Sequence, residues 1–432
     1  MTEEAAEKIP EGERLPCSPW QAFVLVFALH VGLQAFLLTK VPVRFVEPHT
    51  RWEVTAVAMS LYERGEFADP YAIPTGPTAH VPPFHPALIA AVYRLLGPTL
   101  RAGYVVWLLL VATHGVAWAM LPWLAGRLGL DPRAGLAAGI VGALLPRWPG
   151  FAEAPAAIAI GLMLSAFLAR WEGRVTSPVS SFALGLAIGL SLLVAPSLLL
   201  VPLGLLAWEA LLSRPRRGVR GVALVLFGMA LACVPWTLRN ERALGGLVFV
   251  RSNLGLELRM GNHDGAGANL ALSARAGTEH HPRTDIDEAR KVHDLGELSY
   301  MRTARHEATG WIRAHPLGFL RLTGLRVLQF WFGEIGGGAE SFGVALLTLV
   351  SLFGAWRAFP SLSPAQRAAI LVPLVLYPLV YYVVGYENRY RQPLDGLALI
   401  IAAGAVFPPR PAASYLGRSV RGSPVARSIA EP

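Results

Sequence analysis

The sequence predicts an all-α polytopic membrane protein of about ten to twelve transmembrane helices, and three observations carry that prediction. Of its 432 residues, 53% are hydrophobic and only 16% charged, where soluble domains carry about a quarter charged residues. Mean hydropathy is +0.45. The apolar residues gather into runs of spanning or near-spanning length, near 20–39, 83–97, 103–124, 134–149, 154–171, 179–195, 196–213, 219–238, 317–333, 340–358, 366–385 and 391–408.

Taken in order, the first stretch, 1–19, is polar and acidic with no basic n-region, and the run after it is too long for a signal-peptide core, so it reads as a cytoplasmic segment before an uncleaved anchor. Residues 20–238 form an N-terminal transmembrane module that includes a first extracytoplasmic loop at 40–82. Within that loop, 51–64 has amphipathic spacing, with Trp52, Ala56 and Met59 set against Glu53, Glu63 and Arg64, and Gly65 ends it. Residues 239–316 are too long for a connector and rich in His, Asp, Glu and Arg, which predicts an ordered extracytoplasmic cap. A C-terminal transmembrane module fills 317–408, and the Pro-, Ser- and Arg-rich 409–432 reads as a disordered cytoplasmic tail.

Charge sets the expected orientation. Lys and Arg number 38 against 29 Asp and Glu, giving +9, but the Arg clusters sit between apolar runs, so they read as topology signals and not as a nucleic-acid footprint. Arg214, Arg216, Arg217 and Arg220, and Arg410, Arg418, Arg421 and Arg427 in the tail, mark the cytoplasmic side of an inner membrane. A cytoplasmic N-terminus then requires one early run not to cross; 83–97, opened by Pro82 and Pro83 and carrying Arg94, is the first candidate and 134–149 the second. Two cysteines exclude a disulfide scaffold and a cysteine metal centre.

Four places offer chemistry at a membrane interface, where charged groups keep access to water. Glu47 and Glu53 follow the first run, and a carboxylate there can take a proton from an acceptor hydroxyl or orient it. Glu53 has the more fixed direction because it sits on the amphipathic helix. His80 and His85 sit in a rigid Pro-rich entry to the next run. Arg147 and Glu153 flank a short break between apolar runs, either as an ion pair or facing a cavity. Arg389, Tyr390 and Arg391 open the last run on the side where positive charge is disfavoured, and guanidinium forks match phosphate oxygens.

With these residues laid out, the chain resembles the GT-C superfamily of polyprenyl-phosphate-sugar-dependent glycosyltransferases, in a family 39-like branch similar to protein O-mannosyltransferases and aminoarabinose lipid A transferases. The resemblance is carried by Glu53, Ala58 to Leu61, Gly65 to Phe67 and Pro70, then Gly76 to Ala79 and Pro82 to Pro86. It continues through Pro235 to Asn240, Arg251 to Leu258, Gly261 with Asn262, and Arg389 to Arg391 with Pro393. It implies a GT-C-like membrane body, a first-loop catalytic acid and a lipid-phosphate sugar donor at the outer interface. Related enzymes often carry an Asp soon after the first helix; this chain has none before Asp69, so the acid falls on Glu53 or Glu47. Glu153 matches a second acidic position, Arg389, Tyr390 and Arg391 the donor-phosphate site, and Arg239, Asn253 and Asn262 the acceptor side of the cap, with His80 and His85.

The expected activity is transfer of a sugar from a polyprenyl-phosphate donor to a protein, lipid or glycan acceptor by one inverting displacement, which needs positioning, a base and charge stabilisation but no cofactor. The partners expected are that donor, membrane lipids and the acceptor, with no nucleic acid. No metal site is expected: Asp264, Asp285, Asp287, His280 and His281 in the cap offer ligand types without ligand spacing, so a divalent cation is possible chemically but not indicated. The competing readings are a transporter or flippase of lipid-linked sugars, disfavoured because the charges cluster around two loops on one side, and a catalytically inactive assembly partner.

Overall fold

A computed structural model describes residues 17–40, 52–146, 150–212, 215–270, 280–334 and 336–408. Glu47, Arg147 and the expected tail at 409–432 lie outside the described residues. The chain is an all-α polytopic membrane protein, and each apolar run read from the sequence is helical over most of its described residues. In chain order the helices are α1 (Pro19–Leu38), α2 (Glu53–Arg64), α3 (Phe84–Leu96), α4 (Leu100–Ala119), α5 (Leu121–Arg127), α6 (Pro132–Leu144), α7 (Glu153–Trp171), α8 (Pro178–Leu192) and α9 (Leu200–Leu212). They continue as α10 (Pro215–Leu244), α11 (Leu254–Gly261), α12 (Ile286–Leu295), α13 (Glu297–Ala314), α14 (Pro316–Phe332), α15 (Gly338–Ala358), α16 (Pro364–Leu376), α17 (Leu379–Val384) and α18 (Gln392–Ala403).

Length separates them. Among the described residues, six helical stretches are long and apolar enough to cross a bilayer: Pro19–Leu38, Leu100–Arg127, Glu153–Trp171, Val219–Leu244, Gly338–Ser361 and Pro364–Val384. Phe84–Leu96, Pro132–Leu144, Pro178–Leu192 and Pro196–Leu212 are apolar but shorter. The two runs suspected of not crossing give α3 and α6, each of 13 residues, about 20 Å long against about 30 Å of hydrocarbon. Starts follow local chemistry: Ser18 and Gln21 form a reciprocal capping box on α1, and Asp131 caps α6 ahead of Pro132.

Small residues set the closest packing. Gly185 and Gly189 of α8 lie against the backbone of α10 at Val225 and Met229, and Gly228 returns the fit against Phe182; such contacts let helices approach where no hydrophobic driving force separates protein from lipid. The main core runs through Val26, Trp118, Leu124, Leu164, Leu192, Val225, Phe330 and Leu397. Lipid-type residues such as Leu211, Phe227, Phe342, Leu352 and Trp356 point outward.

The apolar run ending at Leu238 continues as helix to Leu244, so α10, at 30 residues, reaches about 45 Å and carries the chain into the cap. There α11, α12 and α13 share a small core of Leu256, Met260, Ala289, Val292, Tyr300 and Met301, to which the first loop contributes Tyr71. Cap and first loop are therefore one packed unit. Among the described residues, β pairing is limited to two isolated bridges, one of them Ala68 with Pro77.

Candidate active site

The first loop is rigid for reasons legible residue by residue. Asp69 takes a left-handed backbone (φ 58°), a conformation Asp tolerates better than most residues. Its Oδ1 accepts the amides of Thr75 and Gly76 at 2.8 Å each, and Arg64 binds its other oxygen. The loop is then bolted to the cap. Arg239, lying over the rings of Phe67 and Trp236, donates to the carbonyls of Thr78 at 2.6 Å and Phe67 at 2.7 Å. Arg251 donates to the carbonyl of His80 at 2.7 Å. Glu297, buried at the head of α13, accepts from Ala79 N at 2.8 Å, from Ser252 Oγ at 2.6 Å and from Thr78 Oγ1.

This framework aims Glu53, the first residue of α2, at the cap. Its Oε1 stands 3.6 Å from His281 Nε2 and 3.3 Å from Arg283 Nε. His80 completes the group, with its Nδ1 2.9 Å from Tyr71 Oη and its ring centroid 5.8 Å from that of His281. Both rings are held neutral: burial first, then nearby cations, pushes His80 well below the usual histidine range, and burial brings His281 down to about 4 although Glu53 opposes it.

A second carboxyl joins from α11. Glu257 accepts from Asn253 Nδ2 at 2.6 Å; burial raises its pKa, and the nearby carboxylates of Glu53 and Glu387 raise it further, against Arg251 and the Asn253 amide. The Glu257 side chain is half-buried. Arg389 is half-exposed, with its Nε 2.6 Å from Glu387 Oε2 and its guanidinium over the ring of Tyr390. Burial works against its charge, but Tyr390, Glu387 and Glu153 outweigh it and hold the guanidinium protonated. Tyr390 in turn stacks on Tyr381 at 4.4 Å.

Several of the residues singled out in the sequence meet here and several do not. Glu53, His80, Asn253, Arg389 and Tyr390 border this region, and Glu153 is within electrostatic reach of Arg389. Arg391 is turned away: only 1% exposed, it sits 3.2 Å from Asp395 and donates to the carbonyl of Val344. The i,i+4 register places that carboxylate beneath it, so its charge is spent inside the membrane body. Asn262 is also structural, donating to the carbonyls of Leu258 and Val383 and accepting from the buried Arg326. Arg239 is consumed by backbone carbonyls. His85 lines an apolar groove with Phe84, Leu109, Pro155, Leu162 and Leu184, of 380 Å³. Of the five Asp and His residues weighed as cap ligands, Asp285 caps α12 and pairs with His280, Asp287 pairs with Arg290, Asp264 accepts from Trp311, and His281 faces Glu53.

Arg283, Glu297 and Glu257 went unmarked as chemical groups. Glu257 had one usable signal, its place four residues after Asn253 on a short helix; Arg283 and Glu297 had none, because their partners lie about two hundred residues earlier in the chain.

The architecture is similar to that of solved oligosaccharyltransferases from Archaeoglobus fulgidus. One, in complex with an inhibitory peptide and a dolichol-phosphate, matches with a TM-score of 0.53 at 16% identity, over 90% of this chain and 50% of that one. Another, in complex with zinc and sulfate, matches at 0.52 and 15%, over 89% and 48%. A third, tethered to an acceptor peptide containing the NVT sequon, matches at 0.52 and 15%, over 90% and 49%. The fold is shared. The chain spans about half the length of the structures it matches. No protein-family model matches the chain, and no curated protein does.

Proposed function

We propose that the chain is an integral-membrane glycosyltransferase that moves a sugar from a polyprenyl-phosphate-linked donor to an acceptor on the outer side of the membrane. The observation that carries this reading is the gathering of acids around one half-exposed guanidinium: Glu257 lies within electrostatic reach of Glu53 and Glu387, and Arg389 within reach of Glu387 and Glu153. The fold shared with proteins described with a dolichol-phosphate and with acceptor peptides supports it.

The chemistry follows from those groups. Arg389 neutralises the departing phosphate as charge develops on it, and Tyr390 offers an aromatic face and a hydroxyl beside it. Glu53, or Glu47 in its place, takes the proton of the acceptor hydroxyl or holds it in line with the sugar C1, while Glu153 orients the reacting groups from the opposite side. One displacement of this kind inverts the anomeric centre. The apolar groove beside Pro155, one residue from Ala154 and two from Glu153, suits the isoprenoid chain. A single-sugar, family 39-like donor remains the finer form of the proposal, with peptide, lipid or glycan as acceptor.

The experiment is reconstitution of the purified chain with a radiolabelled polyprenyl-phosphate sugar, followed by release of label from the lipid. Release by the wild type and its loss in Glu53→Gln at unchanged expression supports the reading. A wild type that releases no label from any polyprenyl-phosphate hexose, pentose or aminopentose refutes it.

A further inference from the structure

Among the described residues, Glu53, His80 and His281 bring their ligand-type atoms within 4.8 Å of one another, and both imidazoles are buried. Two neutral imidazoles and a carboxylate are the ligand set of many zinc sites, so composition alone suggests a divalent cation here. Hydrogen bonding decides otherwise.

An imidazole that binds a metal presents a bare nitrogen to the ion and donates its other N–H outward to an acceptor. His80 meets the condition, because its Nδ1 faces the hydroxyl oxygen of Tyr71 at 2.9 Å, which can accept. His281 does not. Its Nδ1 accepts the backbone N–H of Arg283 at 3.0 Å, in a turn whose next two amides, Thr284 and Asp285, close on the His281 carbonyl at 2.9 Å. The proton of the neutral ring is therefore on Nε2, the nitrogen facing Glu53 at 3.6 Å. An ion bound there would need that proton removed with no outward acceptor to take another. The guanidinium of the same Arg283 adds a second obstacle. It lies over the Trp52 ring at 4.6 Å, with Nε 3.3 Å from Glu53 Oε1, so a fixed positive charge already stands where a cation would have to approach the carboxylate.

We infer that Arg283 is the built-in counter-cation of Glu53, and that the Glu53–His80–His281 cluster takes up no divalent ion while Arg283 is in place. One residue closes the site twice, with its amide on His281 and its guanidinium on Glu53. The inference goes beyond the transferase reading and does not depend on it.

The test is bound zinc, measured by elemental analysis after equilibrium dialysis of the full chain in detergent against zinc ion alone, with melting temperature recorded for every variant. The wild type is expected to retain no stoichiometric zinc. Arg283→Ala removes the guanidinium alone and is expected to bind zinc more tightly than the wild type but less tightly than Arg283→Pro, which removes the amide hydrogen as well and should gain at least about tenfold, the lower end of what outer partners contribute to a site; both lose the gain when His80→Ala is added. A wild type that holds one zinc per chain, lost in His80→Ala, overturns the inference. So does an Arg283→Ala chain that melts like the wild type and binds zinc no better. Because the readout is bound metal, a negative transfer assay with this zinc pattern intact refutes the glycosyltransferase reading alone.

Discussion

Glu297 reaches back 218 residues to accept the amide of Ala79 at 2.8 Å, and this contact ties the head of α13 to the entry of α3. The same carboxyl takes two more donors, from Ser252 and Thr78. Truncation strands three donors in a buried place, so Glu297→Ala is expected to destabilise the cap by about 3–5 kcal/mol. Glu297→Gln, which keeps one acceptor oxygen, is expected to cost less than half of that. Limited proteolysis of the cap and melting in detergent read the difference; equal losses for Ala and Gln would show that the side chain fills space and does not collect hydrogen bonds.

The same group gives a pH signature. Burial raises the pKa of Glu297, although its three donors and Arg239 oppose this. A carboxyl whose pKa is higher in the folded state holds its proton longer when folded, so its contribution is fully present below the unfolded value of about 4.3 and is lost as pH rises through the folded value. His80 and His281 act oppositely: their depressed values cost stability as pH falls below about 6.5. The wild-type curve therefore mixes the two. The difference between wild type and Glu297→Gln isolates the carboxyl, and it should shrink as pH rises from about 4.5 upward. A difference that stays level from acid to neutral pH contradicts the assignment.

Arg389 and Arg391 make a contrast that stability and binding assays can separate. Arg389 is half-exposed, so Arg389→Ala should leave the melting temperature close to wild type. It should also weaken binding of a polyprenyl-phosphate by about 10- to 100-fold, the worth of one charge-assisted hydrogen bond. Arg391→Ala takes the guanidinium away from the buried Asp395 and should destabilise the chain by about 3–5 kcal/mol. Arg391→Ala combined with Asp395→Ala is expected to recover part of that loss. Reversed phenotypes would move the phosphate contact to Arg391.

The body of the molecule was readable because its rules are local. Apolar runs become helices wherever they occur, Ser18 and Asp131 announce starts, and Gly65 announces a stop in the left-handed conformation (φ 72°). The site was readable only in halves. Glu53 stood out as an acid after the first run and Arg389 as a cation opening the last one, but the groups that answer Glu53 come from a cap more than two hundred residues away. Arg391 shows the converse. Its partner Asp395 stands at i,i+4 in plain view, and the pair marks a buried ion bridge and not a free clamp.

Helix packing supplies the last prediction, which owes nothing to the site. Gly185 of α8 lies so close to α10 that a Cβ would meet the carbonyl oxygen of Val225 and approach the backbone nitrogen of Met229 at 3.0 Å. The obstacle is main chain, which cannot swing aside as a side-chain tip would. Gly185→Ala must therefore push the two helices apart, at about 1–3 kcal/mol for overpacking. Gly310, with nothing near its missing Cβ on the exposed face of α13, is the control. Gly310→Ala should stabilise its helix by roughly 0.5–1 kcal/mol through the unfolded chain. Melting of the two variants side by side decides it. Gly185→Ala as stable as the wild type would mean that α8 and α10 sit farther apart in the membrane than their glycine faces require.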